Sequence, residues 1–158
     1  MRKVTFIVFG IFLACFVHAT KAMDEDRAKV EGIVLLELIK NKHAAPLVVV
    51  DMRAAEIEQI QAATPMLRNR LMSRRQFKTR YGTWKNAPPG SLDISISIAE
   101  ISPLQAVILA GSPMIGTSGS RDRFTLKKLM GRWVIVKRDS NYETAKARFA
   151  KSAMLETT

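Results

Sequence analysis

Between Gln59 and Leu92 the chain carries Arg68, Arg70, Arg74, Arg75, Lys78, Arg80 and Lys85 and not one Asp or Glu. Guanidinium and ammonium groups at that density recognise anions: carboxylates, phosphates or lipid headgroups. Tyr81 and Trp84 stand among them, and an aromatic ring beside cations can stack on a ligand or anchor an interface. On a helix, the spacing of seven between Arg68 and Arg75 and of four between Arg70 and Arg74 gives two overlapping cationic rows. A second concentration, Arg121, Arg123, Lys127, Lys128, Arg132, Lys137 and Arg138, is opposed only by Asp122 and Asp139. If it alternates outward on a hairpin, it extends the first surface. The binding candidates are therefore Arg68, Arg70, Arg74, Arg75, Lys78, Arg80, Trp84, Lys127, Lys128 and Arg132. The competing reading is a solvated face that serves only solubility.

Catalytic chemistry has thinner support. His43 is the only histidine after the leader described below, and Asp51 or Glu56 would have to orient it as a base. A small hydrolase-like enzyme built on His43 is thus the alternative function, although no spacing demands it. Glu56 with Asp93 would make a carboxylate pair, but salt bridging to the basic excess is the simpler role. The stretch Gly111-Ser112-Pro113-Met114-Ile115-Gly116 has neither the spacing nor the lysine of a phosphate loop. No nucleophile elbow surrounds Ser112, Ser118 or Ser120. A single cysteine and two histidines exclude an intrachain thiolate cluster and a histidine-rich metal site. No catalytic residue is assigned, and neither a cofactor nor a metal is expected.

The chain opens with Arg2 and Lys3, continues through an apolar run from Val4 to Val17, and reaches Val17-His18-Ala19, a small-residue cleavage pattern. That is the plan of a secretory signal, and the run is shorter than the roughly 20 residues needed to span a bilayer core. Residues 1–19 read as a signal peptide and 20–158 as one small basic domain, periplasmic or extracellular. Phe12-Leu13-Ala14-Cys15 partly matches a lipobox, which makes a lipoprotein anchored through Cys15 the competing reading.

The elements that must position the cations follow from periodicity. Residues 24–40 begin with Asp24-Glu25-Asp26, end among lysines, and repeat apolar residues at helical spacing. Leu47 to Val50 is β-branched and reads as an inner strand or a sheet edge. Residues 53–63 return to helix, and Thr64-Pro65 closes it and opens the next. That next segment, Met66 to about Tyr81, reads as helix, with an extended Arg74–Tyr81 equally compatible. Gly82 to Gly90 is a turn. Leu92, Ile94, Ile96 and Ile98 alternate with polar or small residues, which makes 91–101 a strand. Gln105–Ala110 reads as a strand, with a short helix as alternative, and a hairpin turns near Gly131. Residues 142–155 read as a terminal helix capped by Asp139, Ser140 or Asn141. The fold expected is α+β: an N-terminal helical region packed on a small, mostly antiparallel sheet, with a C-terminal helix.

With 25 Lys and Arg against 14 Asp and Glu, the formal charge is +11. The function expected is an exported, non-enzymatic interaction or accessory domain of the cell envelope. Its cationic surface would meet an acidic protein partner or an anionic membrane surface. Nucleic acid is the alternative partner only if the chain is not exported. Intact-mass measurement of the exported protein should find a chain beginning at Thr20; a chain still beginning at Met1, or one acylated at Cys15, would contradict cleavage after Ala19.

Overall fold

The computed structural model describes residues 22–40, 45–113 and 119–144. Helix α1 covers residues 22–40. Then come strand β1 (Val48–Val50), helix α2 (Ala54–Ala63), strand β2 (Leu71–Ser73) and helix α3 (Arg74–Tyr81). Strands β3 (Leu92–Ile101), β4 (Gln105–Gly111), β5 (Ser120–Leu129) and β6 (Arg132–Thr144) follow. All six strands join one mixed sheet in the order β2-β1-β3-β4-β5-β6. Strand β1 runs parallel to both neighbours, and β3 to β6 are antiparallel. The architecture is α+β.

Three valines in succession make β1, and all three are fully buried. A strand covered on both faces reads as an unbroken apolar run because neither row of side chains meets water. Val48 and Val50 join the main core with residues of α1, α2 and the antiparallel strands. Val49 turns the other way, into a smaller cluster with Leu47 and Phe77 of α3. Helices α1 and α2 therefore cover one face of the sheet and α3 covers the other at β1. Strand β3 carries the alternation seen in its sequence: Ile94 and Ile96 are buried, while Asp93, Ser95 and Ser97 take the opposite face. Ala106, Ile108, Phe124, Leu126 and Trp133 continue the same core across β4, β5 and β6.

Helix α1 crosses this core with Ala28, Val30, Val34, Leu35 and Ile39 buried. Gly32 is required by its neighbour, since a Cβ there would lie 2.1 Å from Thr64 Oγ1 at the end of α2. The far end of the core is tied by Asp26, which accepts from Lys128 Nζ at 2.7 Å and from Trp133 Nε1 at 3.0 Å. Burial pushes the Asp26 carboxyl upward, but those two hydrogen bonds and the charges of Lys128 and Lys29 outweigh it and hold it below its ordinary value. Glu31, only 3% exposed, meets Arg27 Nε at 3.3 Å. There burial wins over the Arg27 charge, and the carboxyl is raised.

The structure corrects two expectations. Met66–Tyr81 is not one helix: a short 3-10 turn at Pro65–Leu67 is followed by β2, and only then by α3. Ser73 decides that break, because its hydroxyl accepts from Gln76 N at 3.1 Å while Ser73 N donates to Gln76 Oε1 at 3.0 Å, a reciprocal cap. Over Arg74–Tyr81 the helical reading holds, and the extended alternative is not adopted. Finally, residues 142–144 belong to β6 rather than to a helix. Asn141 has a φ of 53° and donates its N–H to Asp122 Oδ1 at 2.8 Å, so the strand passes through an irregularity instead of ending. The remainder of the expected terminal helix, the leader with Cys15, and His43 lie outside the described residues.

Asp26→Ala should cost about 2 kcal/mol in chemical denaturation at neutral pH, because two donors lose a charged acceptor. The folded pKa of Asp26 is depressed, so its contribution is complete above the ordinary value and fades as pH falls through the folded value. The gap between wild type and variant should therefore close in acid, and a gap independent of pH would remove Asp26 as its source.

Candidate binding surface

Helix α3 presents the densest free charge. It is capped by Ser73 and ended by Gly82, whose φ of 71° suits a residue without a Cβ. Phe77 is its one buried residue and fixes which face points inward. Trp84 packs on Phe77 with ring centroids 4.4 Å apart and stays 46% exposed; Tyr81 lies 5.3 Å from the same ring. The Arg80 guanidinium sits 5.5 Å from the Tyr81 ring centroid. Arg75, Gln76, Lys78 and Thr79 are exposed. A hollow of about 400 Å³ opens beside them, with Leu71 and Met72 as apolar floor and Arg75 and Arg80 on its rim.

Not every predicted cation takes part. Arg74 is a clamp: Nη1 meets Asp51 Oδ2 at 3.1 Å, and Nε and Nη2 meet Asp93 Oδ1 at 3.2 and 3.1 Å. It ties the loop after β1 to β3, and both carboxylates considered for catalysis at those positions are thereby occupied. Glu56 is engaged as well, by Arg53 N and Nη2 at 2.9 Å, and the side-chain hydrogen bond from Arg53 leads in holding its carboxyl low. Lys128 is held by Asp26. Among the described residues, Arg68, Arg70, Arg75, Lys78 and Lys85 have no acidic partner within salt-bridge distance.

The second basic run does not extend this surface. Strand β2 is one edge of the sheet and β5 lies four strand spacings away, about 19 Å. Neutral residues of β3 and β4, among them Ser97, Gln105 and Leu109, lie between. Much of the run is also paired internally: Arg121 with Glu143 and Ser97, Arg138 with Asp122 at 2.6 Å, Lys137 with Asp139 at 2.9 Å. Arg123 lies over the Tyr142 ring. Lys127 and Arg132 remain exposed near the hairpin turn.

A polar cleft of about 270 Å³ lies where α1 leaves the sheet, lined by Leu38, Leu92, Asp93, Asp122 and Arg138 among others. Its charged groups already satisfy one another or Arg74. No three of the described His, Cys, Asp and Glu residues come together to hold a metal ion. The edge of β2 is also closed to an added strand, since Leu71 O accepts from Gln61 Nε2 and Ser73 N is taken by Gln76. What α3 offers is exposed cations beside a hollow with an apolar floor. No protein-family model matches the chain, and neither a curated protein nor a solved structure matches it.

Sequence reasoning found the cations but missed the hollow beneath them and the partners of Arg74. Ser73-Arg74-Arg75-Gln76 contains a capping-box pattern that marks the start of α3; nothing local places Asp51 and Asp93 beside Arg74. Arg74→Gln should therefore destabilise the fold by about 1 kcal/mol, and Arg75→Gln by less than about 0.5 kcal/mol. Thermal melts of the two single variants compare them; equal losses would remove the distinction between clamp and surface.

Proposed function

We propose that this chain is an exported, non-enzymatic interaction or accessory domain that holds an acidic protein partner on the α3 face. The observation that carries the reading is the contrast between clusters. The cations of β5 and β6 largely meet acids of their own chain, whereas Arg75 and Arg80 line a hollow with Leu71 and Met72, Lys78 and Lys85 are exposed near the half-exposed Trp84, and none of these four has an acidic partner among the described residues. An acidic segment laid there would gain charge contacts at the rim and apolar contact on Leu71, Met72 or Trp84. Export, read from the first 19 residues, places such a partner in the periplasm or outside the cell and makes nucleic acid the less suitable polyanion.

Binding of a fluorescent glutamate-rich peptide, followed by anisotropy at low and high salt, tests this. Each solvated charge contact contributes roughly 0.5–1 kcal/mol, so Arg75→Gln combined with Lys78→Gln should weaken binding about tenfold at low salt. High salt should narrow the difference. Equal binding by both folded proteins at low salt would leave the α3 cations as a solvated face.

A further inference from the structure

The β5–β6 hairpin turns on Met130 and Gly131, between the paired Leu129 and Arg132. Both turn residues have positive φ, 49° and 77°. A two-residue turn of that kind favours Asn-Gly or Asp-Gly and disfavours a long side chain at its first position. Met130 occupies that position with its side chain fully exposed. Nothing inside the fold offsets the cost of its backbone conformation, which directs attention to a contact outside it.

Met130 has apolar company. Lys128 N donates to Leu104 O at 2.9 Å, which sets the β3–β4 turn against the hairpin. Leu104 is 68% exposed and Leu129 54%. Three large apolar side chains from two adjacent turns thus stand at one end of the sheet, with Lys127 and Arg132 exposed beside them. The first turns of α1 lie at this end too, where Asp26 is bound to Lys128 and Trp133.

We infer that this end docks on a phospholipid bilayer: Met130, Leu129 and Leu104 enter the boundary between headgroups and acyl chains, and Lys127 and Arg132 lie against anionic headgroups. Apolar side chains flanked by two long cations suit that boundary, because the aliphatic stems can lie along the apolar layer while the charges stay hydrated. A second copy of the chain is a poorer occupant, since tip-to-tip pairing would bring like charges of Lys127 and Arg132 together. Asp24 and Glu25 in the first turn of α1 and Glu100 near the end of β3 are exposed at the same end, so apolar insertion leads and the preference for anionic lipid is modest. The surface is separate from α3: β3 continues from Ile94, its last pairing with β1, to Ile101, roughly 23 Å.

Flotation with vesicles tests the inference, using phosphatidylglycerol with phosphatidylethanolamine on one side and phosphatidylcholine alone on the other. The chain beginning at Thr20 is used; it keeps every core residue from Ala28 to Trp133 and lacks the apolar run that would bind lipid unaided. Wild type should float with both, a few-fold better with the anionic vesicles. Met130→Asn with Leu104→Ser should lose about tenfold for each side chain removed. Met130→Asn alone should melt at or above wild type, because Asn suits the turn, which separates lost binding from lost folding. The Arg75→Gln, Lys78→Gln protein should float like wild type even if peptide binding at α3 fails, so the two readings stand or fall separately. The inference is overturned if wild type floats with neither vesicle or if the tip variant floats equally well. It is also overturned if the α3 variant loses flotation too, or if sedimentation shows a tip-dependent dimer without flotation.

Discussion

Strand β1 has no solvent side, and much of the fold follows from that. Val48 and Val50 need cover on one face and Val49 on the other, so the connections to either side of β1 must run over opposite faces. Helix α2 leaves β1 over the first face and returns to β2. Helix α3 leaves β2 over the second and delivers the chain to β3 on the far side of β1. Burying a valine stabilises by roughly 1.5–3 kcal/mol, so three of them in a strand with parallel neighbours on both sides make slippage costly. Arg74 then fixes the ends of that parallel unit by joining Asp51 to Asp93.

Two carboxylates on α1, the half-buried Asp26 and the buried Glu31, pull in opposite directions with pH. Asp26 is ionised and doubly hydrogen-bonded, so acid weakens what it contributes. Glu31 is raised by burial despite Arg27, so it costs stability once pH exceeds its raised value and ceases to do so as pH falls back toward the unfolded value. Helix α1 therefore gains its hold on the sheet from Asp26 and from apolar packing, while Glu31 and Arg27 are a local accommodation beside the Gly32 contact with Thr64.

Much of this was legible in the chain. The alternation from Leu92 to Ile98 announces a strand with one covered face, the run Val48-Val49-Val50 announces a strand but leaves inner and edge positions both open, and the hairpin at Gly131 is marked by nearby β-branched residues. Strand β2 was not legible, because Leu71-Met72-Ser73 is only three residues long and lies among arginines whose spacing also fits a helix; pairing with β1 decides it. The continuation of β6 was hidden for a related reason. Asp139, Ser140 and Asn141 suit a helix cap, yet Asp122 on the neighbouring strand takes the Asn141 N–H. The cations of the candidate site were legible by type, but their division into clamped and free depended on which acids the sheet brought near.

That division matters more than the total of +11. Arg74 and Lys128 were indistinguishable from Arg75 and Lys127 by type and neighbourhood in the chain, yet each contributes an internal ion pair that its neighbour lacks. An unpaired cation at a surface keeps its hydration and rotamer freedom until an anion arrives, so it adds little to folding and leaves its interaction available for association. Met130 follows the same logic with apolar chemistry: a side chain exposed on a turn that disfavours it cannot be accounted for by the stability of the turn. The features least explained by folding thus lie in two separate places, on α3 and at the hairpin end, and the extension of β3 beyond β1 keeps them apart. Such a domain can meet two different surfaces without one contact obstructing the other.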